Sequence, residues 1–524
     1  MAGTGKGGAG MSGRASATPT MANIDVVEAS VADLQAAMTN GRITSRALVL
    51  AYLSRIRTID RAGPRINSII ELNPEAQAIA AALDRERRDN GPRGPLHGIP
   101  ILIKDKIATA DTMQTTAGSL ALVGTKPPRD ATIVTRLREA GAVILGKTNL
   151  SEWANIRSIR STSGWSARGG LTRNPYALDR NTSGSSSGSA AAIAASLAAI
   201  AVGTETDGSI ISPANMNGLV GIKPTVGLVS RYGIIPIAHS QDTAGPMARS
   251  VADAAGLLSV IAGSDALDVA TAVANGKRES YADFVDRDGL RGMRLGVVRA
   301  NFGGRNDLAT AVVERALKVM QEQGAILVDP VELPNVAKYG QSELDVLLYE
   351  LKADITKYLA EFAPGSPHRT LSDLIAFNER EKEREMPYFG QELFIRADAK
   401  GGLDSGEYLD ALANNHRYSR AEGIDQVLQA HQLDALVAPS GGLPWLTDFY
   451  KGDYSGGGFT SPAAVAGYPH ITVPAGFVHG LPVGVSFVGT AWSEPTLIRI
   501  ASGYEHSSRA RRAPTYAKSL NVTL

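Results

Sequence analysis

The chain has 524 residues, 53 basic against 52 acidic side chains, a net charge of +1 and no cysteine. The missing cysteine excludes a disulfide framework, a thiolate nucleophile, a cysteine zinc site and an iron–sulfur cluster. The balanced charge argues against a nucleic-acid partner, because phosphate binding draws on a basic excess.

Residues 1–22 are small and polar and lack the apolar stretch of a secretory signal, so they read as a flexible leader before one unit at 23–524. The most apolar run, 190–202, is shorter than the ~20 residues a membrane span needs. A soluble, cytoplasmic protein is expected. Helices are predicted at 31–38, where Ser30 is the N-cap and Asp33 completes a capping box, at 45–60 and at 76–88. In the second, Leu48, Tyr52, Ile56 and Ile59 fall on one face. The apolar run 98–104 reads as a buried strand that ends on Lys104. A helix at 130–140 and a strand at 142–146 follow. Residues 181–188 form a Ser/Gly loop, 189–197 an alanine-rich helix and 198–202 a strand.

From 266 to 430 the character changes. Charge increases, strands thin out, and helical segments occupy 344–362 and 407–415. This stretch reads as a helical insertion over the sheet. Strands return at 435–438, 470–473 and 482–488. Alternating strands and helices predict an α/β fold with a single large mixed β-sheet covered on both faces by helices. Because the late strands resemble the early ones, one sheet joins both ends of the chain.

With thiols absent, covalent catalysis needs Ser, Thr, Lys or a carboxylate. Three places qualify. Lys104 ends an apolar strand, and desolvation there would lower its pKa from about 10.4 and make it a base. Lys106 would add like-charge repulsion if it shared the site. The sequence GSSSG at 184–188 matches G-x-S-x-G, with Ser186 as nucleophile. That motif needs a preceding strand, where the sequence reads as turns, and a downstream histidine. His470 and His479 flank a strand and read as ordinary polar residues. A turn capping the alanine-rich helix explains the serines as well. Ser209 follows a buried strand in GTETDGSI (203–210), where consecutive N–H groups can converge on an oxyanion. Glycine, 55 in 524 against a usual ~7%, suits a site built from backbone.

Together, GSSSGSAAAIAA (184–195), GTETDGSI (203–210), Pro213-Ala214 and GIKPT (221–225) resemble the signature block of the amidase signature family. HGIPILIKD (97–105), GKTN (146–149), QDTAGPM (241–247) and GYPHITVP (467–474) extend the resemblance over most of the chain. NLSEWA (149–154) and SGWSARGG (163–170) are most similar to bacterial peptide amidases, which remove the C-terminal amide of peptides. The resemblance implies a Ser–cisSer–Lys triad: Ser209 as nucleophile, Ser185 as the bridging serine in a cis peptide, and Lys104 as base. It implies an oxyanion hole from the N–H groups of Thr206, Asp207, Gly208 and Ser209, with no metal or cofactor. It also implies action on a small peptide amide or other carboxamide; a monomer is expected, and the charge and apolar runs predict neither a nucleic-acid nor a membrane partner. Ser183, Ser187 and Asp207 stand where many members have glycine. The alternatives are the glutaminase subunit of a tRNA-dependent amidotransferase, and an amidase for other small molecules or fatty amides. The helical insertion and the loops at Trp153 and Trp165 are expected to shape the acyl pocket.

Overall fold

The computed structural model describes residues 1–3, 25–274, 276–277, 279–302, 306–454 and 457–520. The leader expected at 1–22 lies almost wholly outside these residues.

Thirteen strands occur among the described residues. In chain order they are Ile69–Leu72 (β1), Pro100–Lys104 (β2), Val143–Thr148 (β3), Trp165–Ser166 (β4), Gly170–Leu171 (β5), Ile200–Glu205 (β6), Val220–Lys223 (β7), Thr243–Ala248 (β8), Arg294–Val298 (β9), Ile326–Val331 (β10), Ala435–Pro439 (β11), His470–Val478 (β12) and Leu481–Val488 (β13). β4 and β5 pair only with each other. The other eleven form one mixed sheet in the order β1-β3-β2-β6-β8-β7-β12-β13-β11-β9-β10. β2 runs parallel to β3 and β6, and β6 runs antiparallel to β8. Helices flank this sheet, and the α/β expectation holds.

Every residue of β2, β3 and β6 is buried. This is why their sequences read as continuous apolar runs rather than alternating ones: both faces are covered. The helix Val31–Thr39 starts as predicted, with a Ser30/Asp33 capping box. The helix predicted at 45–60 is regular over Ser45–Arg55 and closes in a wider π-turn, Ile56–Asp60. The alanine-rich helix begins two residues earlier than predicted, at Ser187, and the next strand continues to Glu205. β8, with sequence TAGPMA, escaped prediction because Gly and Pro are poor strand formers.

The stretch 266–430 differs from a purely helical insertion. Its first part adds β9 and β10 to the sheet edge, with the helix Asp307–Glu322 between them. The helical part proper begins at the long helix Gly340–Phe362. No helix among the described residues is long and apolar enough to cross a membrane.

Candidate active site

The C-terminal ends of β2 and β6 lie side by side and set the geometry of the site. Lys104 is the last residue of β2 and is fully buried. Its Nζ lies 2.7 Å from Ser185 Oγ, 3.0 Å from Ser186 Oγ, 3.0 Å from Thr204 Oγ1 and 3.3 Å from the Thr204 carbonyl. No carboxylate pairs with it among the described residues. A buried, unpaired ammonium costs several kcal/mol, so burial drives the amine toward its neutral form. Its pKa is held well below the ordinary lysine value, first by burial and next by the charge of Lys106, with Asp242 and Glu205 opposing. Lys106 is itself buried, and its pKa too is lowered.

Ser185 lies in the loop before the helix Ser187–Ala194, and the Gly184–Ser185 peptide is cis. The Ser185 carbonyl accepts from the N–H of Ser151 at 3.1 Å, which joins this loop to the segment after β3. A Cβ on Gly184 would meet Ser151 Oγ at 2.1 Å, so a side chain there would have to displace that hydroxyl. Ser183 adopts a left-handed φ of 58°, which explains why glycine is common at that position. Its hydroxyl is 2.7 Å from that of Ser212.

Ser186 does not form a nucleophile elbow. No strand leads into it, and its fully buried hydroxyl donates to the Thr204 carbonyl at 3.0 Å. His470 is also unsuited to base catalysis. It is buried against Ser486 at 2.6 Å, and burial pushes its pKa down to about 3.

Ser209 sits in the turn between β6 and the helix Ile211–Met216. Its carbonyl accepts from the N–H of Ser186 at 3.2 Å, so the turn and the cis-serine loop are joined directly. Among the described residues, the N–H groups of Asp207, Gly208 and Ser209 donate no hydrogen bond. Such unspent neighbouring donors are what an oxyanion requires. Gly208 has φ +74°, and a Cβ there would lie 3.0 Å from Thr460 Oγ1.

Two carboxylates brace this turn. Glu205 accepts from the N–H groups of Ile210 and Ile211 at 2.7 and 3.0 Å. Asp242 accepts from the Thr206 hydroxyl and from the N–H groups of Ile237 and Ala238.

A family model for amidases matches residues 47–498. The chain belongs to the amidase family. It is 54% identical to the peptide amidase from Stenotrophomonas maltophilia, whose structure superimposes with a TM-score of 0.90 over 94% of this chain and 99% of that one. A probable amidase of Arabidopsis thaliana is 41% identical, covering 96% of this chain and 94% of the relative. A glutamyl-tRNA(Gln) amidotransferase subunit from Halorhodospira halophila is 38% identical, covering 91% of this chain and 96% of the relative. The protein is therefore an amide-hydrolysing enzyme acting on a carbon–nitrogen bond.

In this amidase the helical part of 266–430 packs against both tryptophan loops. Trp153 meets Phe394 edge-on at 5.6 Å, and Trp165 meets Tyr388 and Phe389 at 5.4 and 5.3 Å. Sequence reasoning singled out Lys104, Ser185 and Ser209, named Ser186 only as an alternative nucleophile, and missed the supporting groups Thr204, Glu205 and Asp242. Ser186 and Thr204 share the Lys104 amine, and Glu205 and Asp242 hold the Ser209 turn. The last three lie inside motifs that signalled the family, yet nothing local marks which of their side chains turn inward.

Proposed function

We propose that the enzyme hydrolyses the C-terminal carboxamide of peptides and releases ammonia through an acyl-enzyme on Ser209. One observation carries the mechanism: a buried, unpaired Lys104 amine within 2.7 Å of Ser185, beside a turn that offers free N–H groups. Neutral Lys104 takes the Ser185 proton as Ser185 takes that of Ser209. The Ser209 oxygen attacks the amide carbonyl, and the N–H groups of the 206–209 turn stabilise the oxyanion. The proton returns through Ser185 to the leaving nitrogen, which departs as ammonia. Water then attacks the ester, giving up its proton along the same path, and the carboxylic acid leaves. No metal enters these steps.

The 54% identity to a peptide amidase supports the substrate class. The glutaminase-subunit reading rests on relatives at 35–38% identity. On our reading 23–524 is one catalytic unit that contains the stretch 266–430.

The test is ammonia release from a panel of peptide amides, amino-acid amides, glutamine and fatty amides. Peptide amides are expected to be preferred, and Ser209→Ala is expected to abolish turnover. Normal turnover by Ser209→Ala would refute the acyl-enzyme. Preference for glutamine, with a partner required, would favour the amidotransferase reading.

A further inference from the structure

Asp207, where many relatives have glycine, lies within the turn that carries Ser209. It is half-buried, and its Oδ2 accepts from Ser461 Oγ at 2.6 Å. Its Oδ1 is shielded from solvent and faces no hydroxyl or amide donor among the described residues. What it meets is a second carboxyl. Glu343, in the first turn of the helix Gly340–Phe362, lies next to Asp207, whose charge and side chain both raise its pKa. Glu343 Oε1 accepts from Gln241 Nε2 at 3.0 Å, and the same nitrogen lies 3.3 Å from the Thr206 carbonyl. Neither carboxyl forms an ion pair with a described residue. Two neighbouring carboxylates with no cation between them repel, so the arrangement favours a protonated Glu343.

We propose that Glu343 is a positioning residue for the oxyanion turn, acting as a carboxylic acid whose O–H donates to the Asp207 carboxylate. The wider contact pattern fits. Glu343, Glu350 and Asp354 lie at i, i+7 and i+11 on one face of the long helix. Glu350 accepts from the N–H of Ser240 at 2.9 Å, and Asp354 accepts from the N–H of His239 at 3.1 Å. The segment they hold leads directly to Asp242, which accepts from the Thr206 hydroxyl. The helix thus grips the nucleophile turn directly through Glu343, and indirectly through the 237–242 loop.

The groups facing the pair are few. Asp207 and Tyr339 face Glu343, while Glu205 and Lys223 act on Asp207 from β6 and β7. Burial and the Asp207 charge hold the Glu343 pKa well above the usual carboxyl range. The protonated form therefore persists to higher pH than for an ordinary carboxyl and is lost as pH rises. Losing it sets two carboxylates against each other beside the oxyanion donors, so an alkaline fall in kcat follows.

The proposal rests on Ser209 as the nucleophile, so a fluorophosphonate label located by mass spectrometry is read first on the wild type. Missing label at Ser209 defeats that reading. With the label present, kcat and KM are measured against pH for an amide the wild type hydrolyses. Glu343→Ala is expected to lower kcat by about 10- to 100-fold with KM nearly unchanged, the scale of a small misplacement in an active site. Glu343→Gln keeps a donor toward Asp207 and an acceptor toward Gln241. It is expected to restore neutral-pH kcat to within about 3-fold of wild type and to move the alkaline fall to higher pH, since an amide has no proton to lose there. The inference is overturned if Glu343→Ala turns over like wild type, if Glu343→Gln is no better than Glu343→Ala, or if the Gln and wild-type alkaline limbs coincide. If Glu343→Ala does not fold, the Gln profile decides alone.

Discussion

Residues 181–211 and the long helix Gly340–Phe362 meet at the nucleophile turn but are built from different materials. In the first, all residues but Gly184 and Asp207 are buried, and most side chains are small. Its contacts run largely through backbone and hydroxyl groups: Lys104 reaches its serine and threonine hydroxyls, and Arg55, Arg249 and Arg511 donate to its carbonyls. The helix is charged, and it reaches the turn and the 237–242 loop through carboxyls: Glu343, Glu350 and Asp354. Further along the same helical part, Glu385 accepts from the N–H of Leu120 at 2.6 Å and is in contact with the carboxyl of Glu152. Backbone and small side chains fix atoms closely and respond little to pH. Carboxyl contacts hold a packed element in place but depend on protonation. The chemistry accordingly sits on the first region and its adjustment on the second.

Disturbing the first region should have the larger effect. Lys104→Met is expected to lower kcat by about 10³-fold or more while the protein stays folded, since the members of such a relay act as a unit. Single-turnover kinetics with thermal melts would check this. Gly208→Ala forces a side chain into a left-handed φ against Thr460 and should cost about 10²-fold in kcat, the scale of losing one oxyanion donor. A wild-type rate in that variant would show that the turn tolerates what its geometry forbids.

The next two predictions probe pH and the second region. Activity should rise from acid to neutral pH as Lys104 loses its proton. The Lys106 charge is one cause of the lowered Lys104 pKa, so Lys106→Met should raise that pKa and shift the acid limb upward, by about one pH unit or less. A downward shift in the kcat profile would contradict the assignment. The smallest effect is expected at Tyr388, which is exposed, stacks on Phe449 at 4.1 Å and meets Trp165 edge-on. Tyr388→Ala should change KM for peptide amides by about 3- to 10-fold with kcat nearly intact, the scale of one aromatic contact. An unchanged KM across the panel would separate this surface from substrate binding.

Much of this was legible along the chain. The apolar run ending at Lys104, the glycine-rich turn at Ser209 and the capping box at Ser30 are local patterns whose physics is local. Burial on both sheet faces is written into uninterrupted apolar strands such as β2 and β6. β8 was hidden because TAGPMA contradicts strand propensity, and its place between β6 and β7 holds it extended. The start of the helix at Ser187 was masked by serines and a glycine that favour turns in isolation.

The sequence by itself determined the absence of a thiol, the family and the identity of the three candidate groups, because composition and motif order need no geometry. Only the tertiary structure decided what those groups touch. The protonation of Lys104 depends on strands β2 and β6 lying side by side and on Lys106 being buried with it. The neighbour of Asp207 is a glutamate 136 positions away (343 − 207). Desolvation and charge pairing act through space, so no reading along the chain could supply them.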